Sequence, residues 1–144
     1  MTYFDASAFV SFFLGDVHSD GVRVFVERQP SVVVSDLTLI EFASAVSRAV
    51  RTRRLSPARG QELLLDVDVW ALNEAIRFDI STADIRVADR HVRQFDLGLR
   101  PPDAIHIAIC QRLGLALATC DELQANAARV LGVGVINLSA GAIA

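Results

Sequence analysis

Lysine is missing from these 144 residues, and all 14 formally cationic side chains are arginine. The acids outnumber them at 17, for a net charge of −3, which speaks against a protein that coats nucleic acid through bulk positive charge. Only two cysteines are present, Cys110 and Cys120, both in apolar surroundings and without CxxC spacing or a paired histidine motif. That excludes a disulfide framework and a thiolate zinc site, suits a reducing compartment, and leaves both thiols as small buried hydrophobes. No uninterrupted apolar run approaches the roughly 18–20 residues of a membrane span. The stretch Met1 to Leu14 is apolar but lacks a basic start and carries Asp5, unlike a secretory signal. A soluble, cytoplasmic protein with no membrane partner is the expectation. Repeats, low-complexity tracts and linkers are absent as well, so residues 1–144 read as a single domain.

What is present is an apolar chain: 52% hydrophobic residues and a mean hydropathy of +0.38. That is more than a monomer of this size needs, and it points to a surface covered by a partner. Short β-rich runs alternate with longer helical ones. Thr2 to Phe4, Val32 to Val34, Leu117 to Thr119 and Val133 to Ile136 read as strands, and Phe78 to Ile80 as a further one. Leu39, Ile40, Ala43, Val46 and Val50 recur at helical spacing. Leu63, Leu64, Val67, Trp70, Leu72 and Ile76 do so after Ser56-Pro57, an N-cap followed by a first-turn proline. Two further helical periods run from Ala104 to a stop at Gly114 and from Leu123 to a stop at Gly132. Strands alternating with helices predict an α/β protein with a parallel sheet covered on both faces. Sites in such sheets gather at the carboxyl ends of the strands.

Four carboxylates fall there. Asp5 and Asp121 each follow a predicted strand, and Glu41 and Asp103 each lie in the early turns of a helix, all in largely apolar settings. Each alone has a plain structural reading: Thr38 to Glu41 fits a capping box, and the three aspartates fit caps or first-turn acids. Asp16, Asp20, Asp66, Asp68, Asp84 and Asp89 have charged or polar neighbours and read as solvated surface. Together, the four set apart converge on one sheet edge. Two unit charges about 4 Å apart repel by roughly 4 kcal/mol at an effective dielectric near 20. Such acids either hold protons or bind a cation. A hard divalent ion, Mg²⁺ or Mn²⁺, suits an all-oxygen donor set, and it would serve phosphodiester hydrolysis.

Four segments carry a resemblance. Tyr3-Phe4-Asp5-Ala6-Ser7-Ala8 resembles the opening of the PIN domain, especially of the VapC-like ribonuclease toxins of type II toxin–antitoxin systems. Ser35-Asp36-Leu37-Thr38-Leu39-Ile40-Glu41 resembles its second motif, the run from Leu99 to Ala108 its third, and Leu117-Ala118-Thr119-Cys120-Asp121 its fourth. The third is the most specific. In order, they cover essentially the whole chain. The resemblance implies a three-layer α/β/α fold and a Mg²⁺- or Mn²⁺-dependent endoribonuclease that cuts RNA. It also implies a homodimer and inhibition by a cognate antitoxin. It makes Asp5, Glu41, Asp103 and Asp121 the acidic, metal-holding site, with Ser7 and Thr119 as hydroxyls that orient carboxylates. Asp5, Asp103 and Asp121 would hold the metal, while Glu41 completes its surroundings or accepts a proton from the attacking water. The chain departs from some relatives in lacking a further acid beyond Glu122, where Gln124 and Asn126 stand instead.

His106, three residues after Asp103, reads as a packing residue or a hydrogen-bond partner of its neighbours rather than a metal ligand. His18 and His91 read as surface residues. Arg48, Arg51, Arg53 and Arg54 form a run that either complements a helix end or contacts phosphate. Arg86, Arg90 and Arg93 recur at helical spacing and are candidates to flank an RNA groove. Phe9, Phe12 and Phe13 are expected in the core or at a dimer surface. A non-catalytic PIN-like module that binds RNA or protein is the rival reading, opposed by the intact acidic positions. An aspartyl-phosphate phosphatase is a weaker one, because Ser7 stands where that class wants a second acid.

Overall fold

Every residue from Val32 to Ser35 is buried, which is what a β-branched run in a parallel sheet with both faces covered requires. The computed structural model describes residues 1–139. Along these run β1 (Thr2–Phe4), α1 (Ala6–Leu14), α2 (Ser19–Glu27), β2 (Val32–Ser35), α3 (Asp36–Arg51), α4 (Pro57–Glu74) and β3 (Ala75–Phe78). Then follow α5 (Thr82–Val92), a 3₁₀ turn at Phe95–Leu97, α6 (Pro101–Leu113), β4 (Ala116–Thr119), α7 (Glu122–Val130) and β5 (Val135–Asn137). The five strands form one sheet in the order β3-β2-β1-β4-β5, and every pairing is parallel.

Side chains alternate across this sheet as the two-residue strand period demands. Tyr3, Val33 and Leu117 point into a core shared with Ala104, Ile107 and Ala108 of α6 and Ala127 and Ala128 of α7. Phe4, Val32, Val34 and Ala118 point into the other, with Phe9 of α1, Phe42 and Val46 of α3 and Val67 of α4. The result is a three-layer α/β/α fold. Phe9, Phe12 and Phe13 pack against one another and against Phe42 and Trp70 with ring centroids 4.8–5.8 Å apart, a geometry of core aromatics.

Local signals set several boundaries. Ser56 caps α4 by accepting from the Arg59 N–H, with Pro57 in the first turn, and Gly114 closes α6 at φ 64°. Others moved. Ile76, placed by periodicity in a helix, lies in β3, because α4 ends at Glu74 and the strand starts at Ala75 with no turn between them. β3 therefore precedes the expected Phe78 to Ile80. Leu72, counted with the apolar stripe of α4, is 82% exposed.

Asp84 and His91 are also not surface residues. Asp84, Ala88 and His91 share the face of α5 that packs on α6, and all three are buried. The Asp84 carboxylate accepts from Arg112 Nε and Nη2 at 2.8 and 2.9 Å, and His91 Nε2 meets Gln111 Oε1 at 2.8 Å. Partners of opposite character on α6 allow polar groups on an inward face. Among the described residues, no helix is long and apolar enough to cross a membrane.

The strand order reverses between β1 and β4, since β2 and β3 lie to one side of β1 and β5 to the other side of β4. A crevice opens beyond the carboxyl ends of strands at such a switch point.

Candidate active site

Asp5 and Asp121 begin the helices that follow the two central strands, and each caps its own helix. Asp5 Oδ1 accepts from the Ala8 N–H at 2.9 Å, and Asp121 Oδ1 accepts from the Gln124 N–H at 3.0 Å. The capping reading is therefore correct for both, but it uses only part of each carboxylate. Ser7 donates to the two oxygens of Asp5 at 2.8 and 2.9 Å. The Thr119 hydroxyl lies 2.6 Å from Asp5 Oδ2, accepts from the Asp121 N–H at 3.0 Å and lies 3.0 Å from Gln124 Oε1. The Gln124 amide in turn reaches the Asp103 carbonyl at 3.4 Å. Thr119 and Gln124 thus tie together the three segments bearing Asp5, Asp121 and Asp103.

Asp103 stands in the first turn of α6, after Pro101 and Pro102, with its side chain 13% exposed and Arg100 Nε 3.3 Å from Oδ2. Glu41 is no cap. The helix begins at Asp36, Ser35 is its N-cap and Thr38, not Glu41, sits at the capping-box position. One turn further on, Glu41 is 32% exposed and its Oε1 meets His106 Nε2 at 2.6 Å. His106 is buried, and its Nδ1 lies 2.7 Å from the Tyr3 hydroxyl.

Electrostatics mark this cluster as strained in charge. Burial pushes the Asp5 carboxyl above its ordinary value, against the pull of nearby His106 and the hydrogen bonds from Ala8, Thr119 and Ser7. Burial also raises Asp103; Arg100 pulls it down, while the Asp121 carboxylate pushes it further up. Two carboxyls that resist ionisation beside other acids gain from a cation. Among the described residues, no three His, Cys, Asp or Glu side chains form a ready-made cage. An all-oxygen donor set at the mouth of a crevice nonetheless fits a hard ion that keeps waters of its own and takes one or two carboxylates directly.

The sequence analysis named Tyr3 only within a motif and Gln124 only as the place of a missing acid, and gave neither its hydrogen-bonding role. Gln124 offered one signal, its place three residues after Asp121, which is the first-turn position facing back to a cap. The arginine run at the end of α3 lies away from the acids. Ten residues separate Arg51 from Glu41, roughly 15 Å along the helix, and α3 leads from the carboxyl end of β2 back toward the opposite edge of the sheet.

Residues 2–130 match the PIN domain family. The chain is 30% identical over 137 residues to the ribonuclease VapC46 of Mycobacterium tuberculosis, covering 93% of this chain and 95% of that protein. Its fold is shared by the crystal structure of VapC20 from Mycobacterium tuberculosis, a sarcin–ricin loop cleaving toxin. That match has a TM-score of 0.69 and 16% identity, covering 88% of this chain and 95% of that one. A toxin–antitoxin complex from Klebsiella pneumoniae contains a similar chain, with a TM-score of 0.66 and 18% identity over 96% of this chain and 98% of that one.

Proposed function

The chain belongs to the PIN domain family, and from that premise we propose that it is a metal-dependent endoribonuclease, the toxin of a type II toxin–antitoxin pair. The observation that carries this reading is the convergence of Asp5, Asp103 and Asp121 through Thr119 and Gln124 at the switch point between β1 and β4. Glu41 joins them through His106 of the same helix as Asp103. Asp5, Asp103 and Asp121 are the residues that would hold Mg²⁺ or Mn²⁺, with Glu41 beside them as the acceptor of a proton. Bound there, such an ion supplies charge neutralisation at the scissile phosphate and acidifies a water.

The chain's own groups do the rest. Ser7 and Thr119 hold the Asp5 carboxylate in one orientation. Glu41 Oε2, which has no hydrogen-bond partner among the described residues, takes the proton of the attacking water, while Oε1 stays on His106. In-line attack on phosphorus breaks the bond to the 3′ oxygen and leaves a 5′-phosphate and a 3′-hydroxyl. Arg100, exposed beside Asp103, is a cation placed to meet a phosphate of the RNA.

A protein partner is supported by Leu65, Val69 and Leu72, which leave an exposed apolar stripe along α4. We assign it to the antitoxin. The largely apolar groove between α5 and α6, lined by Ile85, Ala88, Asp89, Val92, Pro101 and Ile105, is the surface we assign to a second copy in a homodimer. The cytoplasm is the compartment that supplies the RNA and keeps Cys110 and Cys120 reduced.

The test is expression of the wild-type chain and of Asp5→Asn, with RNA ends mapped after induction. Wild-type chain should stop growth and create new 5′-phosphate ends, and Asp5→Asn should do neither. Equal cleavage by purified, folded Asp5→Asn would remove the mechanism. Failure of the wild-type chain to bind Mn²⁺ at high concentration would favour a non-catalytic binding module.

A further inference from the structure

His106 follows Asp103 by three residues, on the same face of α6, and is buried. Each ring nitrogen has one partner. In the neutral ring, with the Glu41 carboxylate as acceptor, Nε2 carries the hydrogen of the 2.6 Å contact. Nδ1 is then an acceptor, and its partner at 2.7 Å is the Tyr3 hydroxyl. Burial drives the Tyr3 phenol far above its ordinary range, so it stays protonated and donates. The Tyr3 oxygen then accepts from Ser35 Oγ at 2.7 Å and from Thr38 Oγ1 at 3.4 Å. A directed chain runs Ser35 to Tyr3 to His106 to Glu41, crossing β2, β1, α6 and α3. It ends on a carboxylate that is partly exposed, at the rim of the cleft.

A satisfied core histidine needs no such terminus. Glu41 is a long side chain in the second turn of α3, and its only side-chain hydrogen bond among the described residues is to His106. Without it, the carboxylate would sweep through several rotamers. We propose that His106, held between the Tyr3 hydroxyl and Glu41, is a positioning residue that fixes the Glu41 carboxylate at the cleft for its part in RNA cleavage. This rests on the nuclease reading above. The group it orients is at the site, and the group that orients it lies behind the sheet edge in the core. Loss of such an orienting partner lowers metal affinity or activity by roughly 10- to 100-fold.

The experiment uses the full-length purified chain and three variants, His106→Leu, His106→Gln and Tyr3→Phe, each checked for fold by circular dichroism and thermal unfolding. Nitrogen-15 NMR of the imidazoles should show the wild-type His106 as the Nε2–H tautomer with Nδ1 accepting a hydrogen bond. In Tyr3→Phe Nε2 should keep its proton toward Glu41, while the hydrogen bond accepted by Nδ1 should be lost. With an oligoribonucleotide spanning a mapped cleavage point and saturating Mn²⁺, His106→Leu should lower kcat by roughly 10- to 100-fold with KM within about twofold. His106→Gln, whose amide N–H reaches the same oxygen, should recover most of that loss. Wild-type kcat in folded His106→Leu, equal losses in His106→Leu and His106→Gln, or an Nδ1–H tautomer in the wild type would each overturn the proposal. A wild-type chain that neither binds Mn²⁺ nor cuts RNA would instead overturn the nuclease reading, and the tautomer measurement would still decide whether the chain of hydrogen bonds exists.

Discussion

The hydroxyl of Thr119 lies 2.6 Å from Oδ2 of Asp5 although 114 residues separate the two in sequence. The contact exists because β1 and β4 are neighbours, paired in parallel with Phe4 beside Ala118, so the residues that follow each strand emerge side by side. One hydroxyl serves both aspartates, donating toward Asp5 and accepting from the Asp121 backbone. Replacing Thr119 by Val keeps the shape and removes both functions. Stability should fall by about 1–3 kcal/mol, the cost of leaving buried polar groups unpaired, and cleavage should fall roughly 10- to 100-fold. Denaturant melts and single-turnover cleavage of the variant measure the two effects.

Asp5→Asn tests whether a charge at this buried position serves chemistry rather than folding. The amide retains the cap at Ala8 and carries no charge to desolvate. Its unfolding free energy should stay within about 1 kcal/mol of wild type. Cleavage should drop by at least about 10³-fold, the rate equivalent of the several kcal/mol a catalytic cation contributes. A variant that unfolds outright would show Asp5 to be structural.

The raised values of Asp5 and Asp103 set a pH dependence with a definite sign. A group whose folded pKa exceeds its unfolded one favours the folded state below the unfolded value, and loses that advantage as pH rises through the folded value. In chelator, these two acids should therefore make the wild-type chain progressively less stable from about pH 4, the ordinary carboxylate range, toward neutrality. The stability of Asp5→Asn relative to wild type should grow over the same interval. Added Mn²⁺ should raise the melting temperature more at pH 7 than at pH 5. An Mn²⁺ shift independent of pH would argue against binding by these carboxylates.

Asp84 predicts the opposite sign away from the site. Burial raises its pKa, but hydrogen bonds from Arg112 and Ser81 and the charge of Arg112 outweigh that and leave it lowered. Its contribution is present above the unfolded value and lost as pH falls through the folded one. Asp84→Ala strands Arg112, whose side chain is about one-third exposed, and should cost about 2–3 kcal/mol, less than the roughly 3–5 kcal/mol of a fully buried pair because water reaches the guanidinium. Mn²⁺ affinity should be unchanged, which isothermal titration calorimetry can check.

How much of this was legible follows from range along the chain. β2, the Ser56-Pro57 start of α4 and the Gly114 stop of α6 are written in adjacent residues, so they could be read directly. β3 could not, because no glycine or proline separates it from α4 and Ile76 continued the helical period. Asp84 and His91 were misread because charge at a position was taken for exposure, and only the partners supplied by α6 make an inward polar face tolerable. The four acids were picked out by their apolar settings and by the rule for parallel sheets, and the resemblance to the PIN domain named the same four. Their hydrogen-bond partners were another matter. Gln124 and Tyr3 have no motif of their own, and His106 offered only a helical offset from Asp103.

The sequence by itself determined the alternation of strand and helix, the apolar faces that force a covered parallel sheet, and which acids stand in apolar surroundings. Those are consequences of side-chain period and local capping, interactions spanning a few residues. Only the tertiary structure decided that Glu41 finds His106, that Thr119 bridges Asp5 and Asp121, and that α3 carries the arginine run away from the carboxyl end of β2. Such pairings depend on the order in which strands enter the sheet, and a spacing of 65 or 114 residues carries no distance until the crossovers have set that order.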